Sequence, residues 1–161
     1  MKIKYLILIL LLSITTSYAK QDLKKFKNSE LNITADDVVL IRNEGKIFFN
    51  KNVKSTHGDF TLTADNMIVD FKELDDGKFD LTQIKADSNV IFQNKEVKAT
   101  GNTGIYNILN NIIILEDNVK VKEKGITLFA EKFIYNTITK TTNIISNKKE
   151  EGRVLIILDD K

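Results

Sequence analysis

The sequence predicts an all-β protein of repeated short antiparallel strands, and three observations carry that prediction. Apolar and polar residues alternate in short runs bounded by Gly, Asn and Asp clusters, the pattern of half-buried strands between turns. No helical period of 3.6 residues is sustained in the body of the chain. A strand–turn–strand unit occurs twice, as NVKSTHGDFTLTADNMIVD from Asn52 to Asp70 and as NVKVKEKGITLFAEKFIYN from Asn118 to Asn136. Val53/Val119, Leu62/Leu128, Ala64/Ala130, Asp65/Glu131 and Ile68/Ile134 fall at one constant offset. Repeated units usually stack to share a core, which points to a scaffold or binding surface.

In chain order, Lys2 and Lys4 precede an aliphatic run from Tyr5 to Leu12, and Ser17-Tyr18-Ala19 offers small residues for cleavage before Lys20. Residues 1–19 therefore read as a secretory signal peptide. The alternative is a retained membrane anchor, but the apolar run is well short of the roughly 20 residues a transmembrane helix needs. Residues 20–30 are polar and lysine-rich around Phe26, an N-terminal arm. Residues 31–158 then have the length of one domain.

Within that domain Leu31–Ala35 alternates, Asp36-Asp37 interrupts, and Val38–Ile41 resumes. Asn43-Glu44-Gly45 is a turn, and Lys46–Asn50 leads into the first repeat, with its turn at His57-Gly58-Asp59 and its bend at Ala64-Asp65. Asp75-Asp76-Gly77 marks an acidic turn before the strand Phe79–Ala86. Val90–Gln93 and Val97–Thr100 pair around Asn94-Lys95-Glu96, and Gly101–Gly104 is a kink before Ile105–Leu109. Ile112–Leu115 leads into the second repeat, followed by a polar turn at 137–140, a strand at 141–146 and a closing strand at 153–158. An apolar-x-Ala-acid signature recurs at Ala35-Asp36, Ala64-Asp65, Ala86-Asp87 and Ala130-Glu131. Its expected role is a corner, with the small Ala facing inward and the carboxylate accepting backbone N–H bonds.

Alternation collects one candidate interior face: Ile47, Phe49, Val53, Phe60, Leu62, Met67, Val69, Phe92, Val97, Leu115, Val119, Leu128, Phe133 and Tyr135, together with Val90, Ile113, Val121 and Ile126. The opposite face carries Lys54, Thr61, Thr63, Lys98, Lys120, Lys122 and Thr127, but also Phe48, Ile68, Ile112, Ile114 and Ile134. Periodicity leaves two readings of the first set open. It is either a dry core between two layers or a slot that admits an acyl chain.

Several chemistries are excluded or unsupported. With 24 basic and 22 acidic residues the net charge is only +2, which gives no field for nucleic acid. There is no cysteine, hence no disulfide, thiolate metal site or lipidated thiol. The one histidine, His57, reads as a solvated turn residue, and no nucleophile elbow or phosphate loop is present. The chain reads as a non-enzyme without a cofactor or metal.

The ordered set Ile33-x-Ala35-Asp36, Asn52-Val53, Gly58-Asp59-x-x-Leu62-x-Ala64-Asp65, Ile84-x-Ala86-Asp87, Tyr106, Leu115-x-x-Asn118-Val119, Tyr135-Asn136 and Gly152-Arg153-Val154 resembles the OstA-like family across Leu31 to Leu158. It departs at Lys51 and Asp117, where that family usually has Gly before Asn-Val. The resemblance implies a twisted, slightly open β-jellyroll with an apolar interior groove, here the face from Ile47 to Tyr135. It implies a periplasmic protein that binds the lipid A part of lipopolysaccharide and stacks head to tail with its own copies. Its implied partners are an inner-membrane LptC-like protein and an outer-membrane translocon. A membrane-anchored LptC-like relative and a structural β-repeat protein with a closed core are the alternatives.

Overall fold

The predicted alternation becomes long, bent strands rather than many short ones. The computed structural model describes residues 29–146 and 155–158. The signal-peptide reading at 1–19 lies outside those residues, as does the arm at 20–30 apart from Ser29 and Glu30. In the unit that starts at Leu31, ten strands form one open antiparallel sheet. They are β1 (Leu31–Thr34), β2 (Asp37–Ile41), β3 (Lys46–His57), β4 (Phe60–Glu73), β5 (Phe79–Gln93), β6 (Val97–Asn107), β7 (Ile112–Glu123), β8 (Ile126–Asn136), β9 (Thr142–Ile145) and β10 (Leu155–Leu158). The path runs β1-β3-β4-β5-β6-β7-β8-β10, with β2 also on β3 and β9 also on β8. Each outermost long strand thus carries two short ones, the first on Lys46–Asn50 and Lys54–His57, the second on Ile126–Phe129 and Lys132–Tyr135. One 3-10 turn, Arg42–Glu44, joins β2 to β3 and ends in left-handed Gly45.

Two of the four expected corners stand where the sequence places them, Ala35-Asp36 at the break between β1 and β2 and Ala86-Asp87 directly before a bulge on its own strand. The other two lie opposite the bulged strand. Ala64-Asp65 and Ala130-Glu131 face bulges at Lys51-Asn52 on β3 and at Asp117-Asn118 on β7. A third bulge sits at Ser88-Asn89 on β5. All six bulge residues have left-handed φ, between 53° and 64°. That region costs an L-residue roughly 1–2 kcal/mol, and Asn tolerates it best among non-glycines. Lys51 and Asp117 occupy positions where glycine would bear no such cost. Each pair precedes an inward valine, Val53, Val90 or Val119, so Asn-Val is the corner signal.

The acids at these corners do not serve as expected. Asn52 Nδ2 donates to Asp36 Oδ2 at 2.6 Å and Asn89 Nδ2 to Asp65 Oδ2 at 2.8 Å. Asp36 and Asp65 therefore accept from the asparagine amide of a neighbouring bulge, and Asp87 accepts from Ser88 Oγ at 2.8 Å.

A bulge bends its strand and increases local twist. Three of them in line across the sheet divide it into two leaves that fold onto one another. On the bulged strands, consecutive inward residues step by four at the corner (Phe49 to Val53, Ala86 to Val90, Leu115 to Val119). On the strands between them, the step is three (Ala64 to Met67, Gly101 to Gly104, Ala130 to Phe133). Gly101 and Gly104, the expected kink, permit this close approach. A Cβ on Gly104 would stand 2.9 Å from both Leu115 Cδ2 and Val90 Cγ1.

Candidate functional site: the apolar interior and its mouth

Cross-strand register places all fourteen predicted groove residues on the inner face of the folded sheet. Val53, Phe60, Leu62, Met67, Val69, Phe92, Val97, Leu115, Val119, Phe133 and Tyr135 are buried there. Ile47, Phe49 and Leu128, on the outermost long strands β3 and β8, are half-buried, and Ile126, expected on the same face, is exposed. The same face includes Ile84, Ala99 and Tyr106, which the strand reading missed, and all three are buried. Ile84 lies in the predicted strand Phe79–Ala86 but stands out there as the start of the Ala-acid signature, and Tyr106 lies in a run with no second apolar row to fix its face.

The two leaves meet through aromatic side chains from strands that are not sheet neighbours. Phe92 on β5 lies 5.7 Å from Phe133 and 4.8 Å from Tyr135 on β8, between ring centroids. Phe60 on β4 meets Tyr106 on β6 edge-on at 5.3 Å and Phe92 at 5.6 Å. Such pairs add about 0.5–1.5 kcal/mol each to the gain from buried area. The interior is therefore filled at its centre by the protein's own rings.

Opposite the line of bulges, the hairpin tips of one leaf touch the strand ends of the other through three polar bridges. His57 Nδ1 is hydrogen-bonded to Tyr106 Oη at 2.8 Å, Asn94 Nδ2 donates to Tyr135 Oη at 2.8 Å, and Lys140 Nζ pairs with Asp59 at 2.7 Å. Asn94 is fixed for this task by its own turn, where its Oδ1 accepts from the backbone of Glu96 and Val97. His57 is not the solvated turn residue the sequence suggested; only 8% of it is exposed. It ends β3 in phase with Val53 and Ser55, so alternation turns it inward. Ser55 is fully buried beside it, and its Oγ has no hydrogen-bond partner.

Burial pushes the Tyr106 phenol up strongly. Tyr135 is pushed up to about 12, by burial first and then by the negative charge of Asp59. Both pKa values are raised above the unfolded 10.0, so the folded state holds these protons more tightly. Their contribution is intact below about pH 10 and is lost as pH rises through the folded values. The urea midpoint is accordingly expected to fall between pH 10 and about 12, a window in which Tyr106 and Tyr135 ionise mainly as the chain unfolds. Tyrosinate absorbance followed beside circular dichroism checks this.

Among the described residues no cluster of His, Cys, Asp or Glu could hold a metal ion. What the site offers is a buried apolar face, a polar seam along its mouth and open sheet edges.

Comparison with known proteins places this geometry. The family model for the LptA/(LptD N-terminal domain) LPS transport protein matches residues 32–141, from the first strand to the end of the β8–β9 turn. The chain belongs to this family. An uncharacterised protein of Rhizobium meliloti (strain 1021) is 30% identical over 118 residues, which are 71% of this chain and 63% of that protein. The chain thus spans less than two thirds of that relative. Among solved structures, LptH of Pseudomonas aeruginosa superposes with a TM-score of 0.70 at 19% identity, covering 84% of this chain and 99% of that one. LptH is described as the LptA-homologous periplasmic component of the conserved lipopolysaccharide transport device. The likeness shows a shared fold, the LptA-like β-jellyroll, and the OstA-like resemblance of the sequence agrees with it. Membership of a lipopolysaccharide-transport family gives the folded sheet its functional class.

Proposed function

We propose that this protein is a periplasmic carrier that holds lipopolysaccharide by its lipid A acyl chains and passes it from the inner to the outer membrane. The observation that carries this reading is the extended, predominantly apolar inner face, inside a family devoted to lipopolysaccharide transport. Burying an acyl chain gains about 0.8 kcal/mol per CH₂, or about 10 kcal/mol for a chain of about twelve carbons. The bridges across the mouth are weaker. The exposed Asp59–Lys140 pair contributes at most about 1 kcal/mol, and the two hydrogen bonds about 1 kcal/mol each. Parting the leaves at this mouth is therefore the accessible route to the interior.

End-to-end assembly is part of the proposal. On one edge Val38, Val39 and Leu40 of β2 are exposed, and on the other Leu155 to Leu158 of β10. Exposed apolar edge strands are templates for pairing with another chain. Copies of this protein, an inner-membrane LptC-like protein and an outer-membrane translocon would meet there, and no step needs catalysis by this chain.

Photocrosslinking residues at Phe60 or Phe133 are expected to capture lipopolysaccharide. A lack of adducts from every inward position would overturn the proposal. A closed structural domain is the second reading, favoured by the ring contacts around Phe92. For the anchored LptC-like alternative, N-terminal sequencing decides: a mature chain starting at Lys20 excludes it.

A further inference from the structure

The outer face of the leaf that carries Val53 to Ala64 has a charge pattern the interior does not use. Two cross-strand rows cover it. One passes through Lys54, Thr63, Ile91, Thr100, Lys120 and Phe129, the other through Thr61, Gln93, Lys98 and Lys122 and ends at Thr127, which is buried. Neither row contains a carboxylate, although the chain as a whole is nearly balanced. Lys98 lies directly opposite Lys122, and Lys120 is two residues from Lys122 on the same face. Like charges directly opposite one another destabilise a sheet.

The outer face of the other leaf is built differently. There Lys85 pairs with Asp70 at 2.9 Å, and Lys132 pairs with Glu116, its direct cross-strand partner. Among the described residues, Lys54, Lys98, Lys120 and Lys122 have no such carboxylate. Apolar groups share their face: Phe129, with Lys120 Nζ 5.4 Å from its ring centroid, and exposed Leu155 and Ile157 of β10.

We propose that this lysine face docks on an anionic lipid surface. Four ammonium groups spread from β3 to β7 do not converge on one small anion, but they can meet a plane of phosphates. The apolar groups beside them suit the headgroup boundary, where basic residues and apolar contact act together. Leu155 and Ile157 lie on the same face as the lysines, so apolar contact and charge would reach one lipid plane together. The inference is independent of whether the interior holds lipid.

The test is sedimentation of the full chain with phosphatidylcholine vesicles that contain or lack phosphatidylglycerol. Binding to the anionic vesicles is expected to weaken with salt. Each lysine near such a surface is worth about fivefold in affinity, so the double variant Lys98→Gln/Lys122→Gln should lose roughly 25-fold. Its melting temperature should not fall, because a repulsive pair is relieved. The control Lys85→Gln/Lys132→Gln removes the same charge from the other leaf and should change binding by less than about twofold. Equal losses from both doubles, or equal binding to neutral vesicles, would overturn the proposal. So would competition by inorganic phosphate beyond that of chloride at equal ionic strength, since the face would then be reading free anions.

Discussion

Tethering the two leaves across Asp59 and Lys140 is expected to abolish lipopolysaccharide loading while leaving the fold intact. The chain has no cysteine, so Asp59→Cys with Lys140→Cys makes a unique pair for a cleavable bifunctional maleimide. Both side chains are nearly half exposed, and losing their ion pair costs at most about 1 kcal/mol. The double variant should therefore fold and load normally before it is tethered. A covalent bridge across the mouth holds the leaves together more firmly than acyl burial can overcome. Cleavage of the linker should restore loading, and each single cysteine capped alone should have no effect. If the tethered protein loads as well as the open one, acyl chains do not pass this seam. The route would then run through the sheet edges.

Phe92→Ala is expected to cost about 3–5 kcal/mol of folding stability, measured as the shift in a urea unfolding curve. Phe92 is fully buried and touches Phe60, Phe133 and Tyr135, so its ring bridges the leaves where they approach. A domain of this size has roughly 5–15 kcal/mol in total, so the variant stands close to the unfolding threshold. Phe92→Leu keeps most of the apolar volume and should cost less than about 1.5 kcal/mol. The pair also separates the two readings of the interior. A loss below about 1 kcal/mol for Phe92→Ala would mean that the centre is loosely packed and has little own contact to lose.

Much of this arrangement was legible in the sequence, because strand alternation is a local property. It gives the β class and an inward set that register places on one face from Ile47 through Tyr135, except at the start of β8, where Ile126 is exposed and Thr127 buried. The corners were legible only in part, at Ala35-Asp36 and beside Ala86-Asp87. The eye goes to the repeated Ala-acid pairs, whereas the backbone turns at Asn-Val, behind a residue with positive φ. Lys51, Ser88 and Asp117 share no side-chain chemistry; only the conformation unites them. His57 was misplaced for a related reason. Adjacency to Gly58 suggested solvent, but strand phase carries it inward to a phenol 49 positions away in the chain. Contacts between the leaves, Phe92 with Phe133 or Asn94 with Tyr135, join strands that never pair, and no local pattern announces them.

The three bulges also set which insertions and deletions the chain tolerates. Hairpin tips such as Asp75-Asp76-Gly77 can gain or lose residues with little consequence, as surface loops generally do. The corner on β3 cannot, although its residues are exposed and polar like those of a loop. Removing either Lys51 or Asn52 would slip the pleat by one and turn Val53, Ser55 and His57 outward, with Lys54 and Thr56 taking their places inside. Length variation in homologous chains should therefore collect at the tips and spare the Asn-Val corners.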